Sequence, residues 1–200
     1  MRKENKIISL DVSCAQQVAR LHIQGIPTGF ISSLGGDFVT ALYEAIALDQ
    51  TSFGFVAEEA GKVLGFVAFT TNLNKLYKSV VLKSGWRFAL LLFGKMFSLK
   101  RIKKVFETLS YPGRTKKMEL PSAELLSIVV AEEGRGKGLG TQLLQKAFQE
   151  CAHRGIQGVK VLVGAGMEPA NRWYVNRGFK LQGQMDSHGN ISNIYTLQIK

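Results

Sequence analysis

The stretch "AEEGRGKGLGTQLL", residues 131–144, contains the residue types of an anion-binding loop. Glycines occupy every second position from Gly134 to Gly140, with Arg135 and Lys137 between them. Glycine lets a phosphate approach the backbone without meeting a side chain, and the free N–H groups that open a helix attract negative charge. Because the stretch follows an apolar run and precedes a helical pattern, it predicts a site for a diphosphate.

The spacing of the glycines excludes two common phosphate motifs. The dinucleotide fingerprint GxGxxG would need a glycine at position 139 or 141, and these hold leucine and threonine. A P-loop needs serine or threonine after its lysine, whereas Gly138 follows Lys137. The pattern that remains is RxxGxG, formed by Arg135, Gly138 and Gly140. A surface turn is the alternative for any glycine run.

A second motif, "EPANRWYVNRGFKLQG", follows the apolar strand pattern "GVKVLV". Pro169 suits the first turn of a helix and Gly178 suits its end. The motif contains an alanine, an aromatic pair and a glycine–phenylalanine pair, namely Ala170, Trp173, Tyr174, Gly178 and Phe179.

Together the two motifs resemble those of the GNAT superfamily of N-acetyltransferases, and the resemblance covers roughly residues 119–200. It implies an α/β (α+β) fold with a mixed, mostly antiparallel central sheet flanked by helices. One residue departs from the family pattern, because Met167 stands where the family usually has an asparagine. We expect Asn171 to be the substitute contact to the cofactor.

The resemblance implies acetyl-CoA as the acetyl donor and a primary amine, of a small molecule or a peptide, as the acceptor. The amine would attack the thioester directly in a ternary complex. Backbone groups of Ile128, Val129 and Val130 would hold the pantetheine arm, with the N–H of Ile128 polarising the thioester carbonyl. The pyrophosphate would be held by backbone N–H groups and one hydroxyl, from Arg135, Gly136, Lys137, Gly138, Gly140 and Thr141.

This chemistry needs a base for the protonated amine and an acid for the departing thiolate. Glu124 is the candidate base, since some members of the family carry a catalytic glutamate eleven residues before the motif's arginine. Regular strand alternation would place it on one face with Leu126, Ile128 and Val130. Tyr174 is the candidate acid. The alternatives are a carboxylate at the exposed start of a strand and a core aromatic residue with a satisfied hydroxyl.

Sequence periodicity predicts the elements that position these residues. Residues 6–10 form a strand, and helices begin after an N-cap at Ser13 and near Asp37. The segment "SFGFVAEEAGKVLGFVAFTT" predicts a hairpin with a glycine in its turn. "LLSIVV" predicts a strand buried on both faces, "LGTQLLQKAFQECAHR" a helix, and the C-terminal segment two further strands.

The chain of 200 residues is expected to form a single domain, residues 1–200, with a basic helical insertion at about 72–117. Two distant cysteines predict neither a disulfide framework nor a metal site. With no signal-peptide pattern and no long apolar run, we expect a soluble, cytoplasmic protein. We expect no nucleic-acid partner, because no zinc-finger or RNA-binding pattern accompanies the charge.

The insertion carries twelve of the 26 Lys and Arg residues but only one acidic residue, Glu107, so its formal charge of +11 equals that of the whole chain. An amphipathic helix here could pack on the core or on a second subunit. It could also contact an anionic membrane or an acidic partner, which gives an alternative function for a catalytically weak acetyltransferase core. His188 and the segment "HIQGIPTGFISSLGG" are candidates for the acceptor site.

Overall fold

The computed structural model describes residues 5–93, 118–187 and 189–199. These residues form a seven-stranded sheet in the order β1-β2-β3-β4-β5-β7-β6. The strands are β1 Lys6–Ser9, β2 Ser52–Glu59, β3 Lys62–Thr70, β4 Ala123–Val130, β5 Gly158–Gly164, β6 Lys180–Ser187 and β7 Asn190–Gln198. Within this sheet the β4–β5 pair is parallel and the other pairs are antiparallel. The predicted mixed, mostly antiparallel sheet is confirmed.

The helices pack on both faces of the sheet. They are α1 Ala15–Gly25, α2 Phe30–Ser33, α3 Gly36–Leu48, α4 Leu73–Phe93, α5 Leu139–His153 and α6 Glu168–Val175. The core on one face, here called the α1 face, contains residues of α1, α3 and α4, and the core on the other, the α5 face, contains residues of α5 and α6. No helix in the described ranges is long and apolar enough to cross a membrane.

Local chemistry explains most of the element ends. The β2–β3 turn has positive φ at Ala60 (50°) and Gly61 (80°), as a tight two-residue hairpin requires. The N-cap predicted at Ser13 is wrong. Asp11 caps a short 3₁₀ turn at Val12–Cys14 by accepting from the Ser13 and Cys14 N–H groups, and α1 continues from that turn. A carboxylate accepts two N–H groups more readily than one hydroxyl does, which favours Asp11.

The predicted basic helical segment begins as α4. Its inner side buries Leu73 and Leu76 in the core of the α1 face, and Phe88 is buried against the Phe38 ring of α3, so the helix is docked on the core. The part of the predicted insertion at 94–117 lies outside the described residues, as does His188.

Candidate functional site

The two central strands separate halfway along their length. β4 pairs with β5 only from Ala123 to Leu125, opposite Val159 to Val161. Beyond that point β4 continues to pair with β3 and β5 continues to pair with β7. The backbone of 126–130 therefore faces a gap on its β5 side, and a strand edge left without a partner can bind an extended ligand through main-chain hydrogen bonds.

A β-bulge lies where the separation begins. Ala68 of β3 pairs with Ser127 and Phe69 pairs with Leu125, so Leu126 has no partner residue on β3. The extra residue breaks the regular alternation of side chains. Leu126 packs with the core of the α1 face, whereas Ile128 packs with the core of the α5 face.

Because of the bulge, the prediction of which face of β4 carries Glu124 is wrong in part. Glu124 is not on one face with Ile128 and Val130, as regular alternation would place it. It lies with Leu126 on the α1 face, while Ile128 and Val130 contact the core of the α5 face. A base on β4 would therefore act from the α1 face of the gap.

Two glycines of the glycine loop have a left-handed backbone conformation. Gly136 and Gly138 have φ of +73° and +77°, which residues with a Cβ rarely adopt. A Cβ on Gly136 would meet nothing within 4 Å, so this side of the loop is open. Gly138 is the N-cap of α5 and supplies no side chain to cap it.

Several backbone N–H groups at this helix start have no hydrogen-bond acceptor among the described residues. In the described residues, the turn and cap hydrogen bonds around the loop are donated by the N–H groups of Gly134, Arg135, Thr141 and Gln142. No such bond is made by the N–H groups of Gly136, Lys137, Gly138, Leu139 and Gly140. An uncapped 15-residue helix that starts in an open glycine loop has the features of an anion site.

Arg177, which the sequence analysis did not identify, lies beside the same helix start. Its guanidinium donates from Nη2 to the Thr141 hydroxyl at 2.7 Å and from Nη1 to the Trp173 carbonyl at 3.1 Å. It also stacks on the Trp173 ring, with Cζ 3.8 Å from the ring centroid. The spacing of four residues between Trp173 and Arg177 was the available signal, because it places a cation over an aromatic ring at a helix end. The guanidinium adds a positive charge next to the uncapped N–H groups.

The loop, β4 and α6 meet at Gly140. A Cβ at this position would lie 3.4 Å from the Trp173 ring of α6 and 3.6 Å from Val130 of β4. The start of α5 is therefore held between the end of the separated strand and α6. The gap and the anion site adjoin each other, as a ligand with an extended arm and a diphosphate would require.

Tyr174 lies in the core of the α5 face. Its ring contacts Trp173 and Phe179 edge-on and stacks on Tyr195, and the residue is 5% exposed. Burial raises the pKa of the Tyr174 hydroxyl, so the group keeps its proton at neutral pH. The core cluster that contains it also contains Leu125 of β4, at the point where the strands part.

Glu124 forms a buried ion pair with Lys160 of β5. The carboxylate Oε2 lies 3.6 Å from Lys160 Nζ, and both residues are 6% exposed. Lys160 also donates to the Pro121 carbonyl at 2.6 Å. Burial and, after it, the Glu124 carboxylate raise the pKa of the neighbouring Tyr77. Glu124 is therefore not at an exposed strand start, and Lys160 is a neighbour that sequence spacing did not reveal.

The Asn171 side chain is engaged within the chain. Its Nδ2 donates to the carbonyls of Gly164 at 2.9 Å and Met167 at 2.8 Å. Its Oδ1 accepts from Asn193 at 2.8 Å and from the Tyr195 hydroxyl at 2.9 Å. An amide has two donor hydrogens and two acceptor lone pairs, all used here. The geometry favours a role in tying the β5–α6 turn to β7 over the predicted cofactor contact.

A buried polar network supports the bulge from the α1 face. His22 Nδ1 of α1 lies 2.7 Å from the Tyr43 hydroxyl of α3. Burial raises the pKa of Tyr43, and the nearby Ser127 side chain partly offsets that rise. Ser127 Oγ donates to the Leu126 carbonyl at 2.7 Å. Burial lowers the pKa of His22 to about 4, so its ring is neutral at physiological pH. The network joins two helices to the point at which β4 leaves β5.

The first part of the predicted acceptor segment lies against β4. A Cβ on Gly25, the last residue of α1, would lie 2.3 Å from Val129 Cγ1, so the two backbones approach closely there. The segment continues through α2 on the same face as Glu124. Among the described residues, no group of three or more His, Cys, Asp or Glu side chains could hold a metal ion.

Known structures share this arrangement of strands and helices. The ribosomal-protein-S18-alanine N-acetyltransferase of Escherichia coli is 16% identical, with a TM-score of 0.61 over 98% of this chain and 95% of that one. An N-acetyltransferase of Staphylococcus aureus Mu50 is 18% identical, with a TM-score of 0.61 over 98% and 99%. A GNAT-family acetyltransferase of Streptococcus pneumoniae is 16% identical, with a TM-score of 0.59 over 98% and 100%. At these identities the likeness shows the fold.

Comparison of the sequence with family profiles identifies the family of this chain. No curated protein matches the chain by sequence. The profile of the Acetyltransferase (GNAT) family matches residues 30–179, three quarters of the chain, and the match includes β4, the glycine loop, α5 and α6. The chain therefore belongs to the GNAT family of acetyltransferases.

Proposed function

We propose that this enzyme transfers the acetyl group of acetyl-CoA to a primary amine by direct attack in a ternary complex. The observation that carries the proposal is the gap between β4 and β5, which adjoins the uncapped start of α5. Acetyl-CoA has an extended amide-bearing arm and a diphosphate, and these two features fit an unpaired strand edge and an anion site.

The residues present fit this donor. The backbone groups of Ile128 and Val130 face β5 and pair with the pantetheine amides, and the Ile128 N–H polarises the thioester carbonyl. Those of Val129 face β3, because they alternate with their neighbours and the next residue of that parity, Ala131, donates to Leu64. The loop from Arg135 to Gly140 binds the diphosphate through its N–H groups, and Arg177 and the Thr141 hydroxyl complete that site. We leave Asn171 out of the site, because its hydrogen-bonding groups are already engaged.

The proton transfers are divided between the two faces of the sheet. The thioester supplies an electrophilic carbonyl and a thiolate leaving group. Glu124 receives a proton from the amine on the α1 face, and Tyr174 donates its proton to the thiolate from the α5 face. A group seated between separated strands is open to both faces, so the two residues need not contact each other. The buried Tyr174 hydroxyl is protonated at neutral pH, as an acid must be.

The acceptor enters from the α1 face in this proposal, beside the segment that follows Gly25. The ribosomal-protein enzyme of similar fold acts on an alanine amine, and both peptide amines and small-molecule amines are therefore candidates. A cytoplasmic location remains a prediction from the sequence.

The test is an acetylation screen. The protein is incubated with acetyl-CoA and a panel of amino sugars, polyamines and peptides with free N-terminal amines, and products are identified by mass spectrometry. We expect a mass gain of one acetyl group on a primary amine together with release of CoA thiol. Absence of acetylation across the panel by a protein that binds acetyl-CoA would point to an acceptor of another class. Failure to bind acetyl-CoA would contradict the proposal itself.

A further inference from the structure

The outward side of α4 exposes large apolar side chains. Leu82 is 85% exposed, Trp86 is 71% exposed and Val81 is 56% exposed. Leu82 and Trp86 are four residues apart, so they form one stripe along the helix. The stripe lies opposite the side that buries Leu73 and Leu76 in the core. Among the described residues, docking of α4 on the domain therefore leaves a second apolar surface uncovered.

Basic residues accompany this stripe. Lys75 and Lys78 are exposed on the same side, two turns and one turn before Leu82 respectively. α4 contains no acidic residue, and the segment 72–117 to which it belongs has a formal charge of +11. Arg87 is paired with Glu44 of α3 and so anchors the helix rather than adding to the free charge. The stripe formed by Lys75, Lys78, Leu82 and Trp86 is here called the outward stripe.

The chemistry of the outward stripe fits an anionic lipid surface. A tryptophan and a leucine can enter the boundary between headgroups and acyl chains, while the long lysine side chains reach the phosphates. Each basic residue near such a surface adds to the attraction of the protein to the anionic headgroups. A second copy of the chain fits less well, because two α4 helices, each with four basic residues and no acidic one, would face each other.

We propose that the outward stripe of α4 docks the enzyme on an anionic membrane, with the helix lying in the plane of the lipid surface. No described helix could cross the bilayer, so the contact is peripheral. The proposal is independent of the acetyl-transfer mechanism, because the stripe includes no residue of the candidate site.

The experiment measures binding of the whole protein to lipid vesicles. Sucrose-loaded vesicles of phosphatidylcholine and phosphatidylglycerol in equal amounts are sedimented with the protein, next to vesicles of phosphatidylcholine alone. We expect sedimentation with the mixed vesicles only, and less of it as salt is added. The emission of Trp86 should shift to shorter wavelength on binding, and Trp86→Phe should remove the shift while sedimentation persists.

Matched variants distinguish binding through the outward stripe from nonspecific binding of the protein to vesicles. Leu82→Ser combined with Trp86→Ser should lower vesicle binding by about tenfold or more, since both apolar contacts are lost. Lys75→Ser combined with Lys78→Ser should do the same through the charge. Leu181→Ser is the control, because Leu181 is 55% exposed on β6 at the far edge of the sheet. It should leave binding unchanged.

Three outcomes would overturn the proposal. Binding to neither kind of vesicle would exclude a membrane contact, and equal binding to both would exclude recognition of the anionic headgroup. Self-association in sedimentation velocity that is lost in the Leu82→Ser, Trp86→Ser variant, without vesicle binding by the wild type, would assign the stripe to a second copy of the chain. An unchanged thermal melt of each variant confirms that the fold is intact.

Discussion

The hydroxyl of Tyr174 is the group to which the proposal gives the proton for the departing thiolate. Tyr174→Phe removes the hydroxyl and keeps the ring that packs on Phe179 and Tyr195. We expect kcat to fall by about a hundredfold, since general acid catalysis contributes roughly that much or more. The KM for acetyl-CoA and the melting temperature should change little. Steady-state kinetics measures kcat and KM, and a thermal melt measures the melting temperature.

Tyr195 provides the matched control, because it lies in the same aromatic stack. Its hydroxyl donates to Asn171 at 2.9 Å, so Tyr195→Phe should lower the free energy of unfolding by about 1 kcal/mol. Its kcat should stay near that of the wild type. Equal loss of kcat in both variants would mean that packing of the stack, and not the Tyr174 proton, controls the rate.

Glu124 has two candidate roles, a base and half of a buried ion pair, and one substitution distinguishes them. Glu124→Gln keeps the shape of the side chain but cannot accept the amine proton. We expect kcat to fall by about a hundredfold or more at pH 7. The variant should also be less stable, because Lys160 loses its buried counter-charge. A less stable protein with normal kcat would assign Glu124 to the ion pair alone.

Lys160→Met perturbs the same pair from the other side and leaves the carboxylate in place. Without the ammonium 3.6 Å away, the carboxylate is protonated more easily. We therefore expect the acid limb of the kcat profile to move to higher pH while the maximal rate is largely retained. An unmoved limb would show that the carboxylate of Glu124 does not control the rate.

At the scale of elements, Arg177 joins α6 to the start of α5. Arg177→Met should weaken acetyl-CoA binding by about tenfold or more, because a charge-assisted hydrogen bond is worth roughly 1.5–3 kcal/mol. The maximal rate at saturating acetyl-CoA should fall much less. Arg172→Met is the control on the same helix, since its ion pair with Glu168 is largely exposed. Equal affinity of the two variants, measured by calorimetry, would remove Arg177 from the site.

Local sequence was enough to predict most elements that build the site. The glycine spacing predicted the loop before α5, and Pro169 with Gly178 indicated the extent of α6. The β4 bulge was missed because the extra residue, Leu126, is an ordinary strand former, and the pairing that makes it extra involves β3. Pairing with distant strands also determines where β4 and β5 separate, so no local sequence pattern could predict the point of separation.

Site residues were predicted where local sequence determines them and missed where contacts with distant parts of the chain do. Glycines with positive φ and an aromatic pair on a short helix leave a mark in the sequence. The Lys160 partner of Glu124 and the contact of Arg177 with Thr141 depend on chain segments 36 residues apart in each case. Asn171 was predicted to contact the cofactor because of its position in the sequence motif. In the fold its side-chain oxygen instead accepts hydrogen bonds from Asn193 and Tyr195 of β7.

At the scale of the whole molecule, the buried His22 makes stability depend on pH. Its pKa is about 4 in the folded chain and about 6.5 when unfolded, so between these values the unfolded state binds the extra proton. The contribution of the neutral His22 to the free energy of unfolding is therefore fully present above pH 6.5 and is lost as the pH drops towards 4. The contribution of this residue is about 3 kcal/mol across that range.

Urea unfolding of the wild type and of His22→Gln tests this dependence. Glutamine does not titrate, so the free energy of unfolding of the variant should fall less between pH 6.5 and pH 4. Acidic groups titrate alike in both proteins, and the difference between the two curves isolates His22. Parallel curves would show that the imidazole can be protonated in the folded protein at little cost.

Calorimetric titration with acetyl-CoA measures whether the loop before α5 holds the diphosphate of that donor. Gly136→Val places a side chain in the open loop, and Gly155→Val is its match just beyond the other end of α5. Both glycines have similar positive φ, +73° and +69°, and a Cβ would meet nothing within 4 Å at either. The two substitutions should therefore cost similar stability.

We predict that the wild type and Gly155→Val bind acetyl-CoA with equal affinity and that Gly136→Val, although folded, binds it at least about tenfold more weakly, since its side chain blocks the approach of the phosphates. A wild type that does not bind acetyl-CoA, or a Gly136→Val variant that binds it as the wild type does, would show that the loop does not hold the diphosphate.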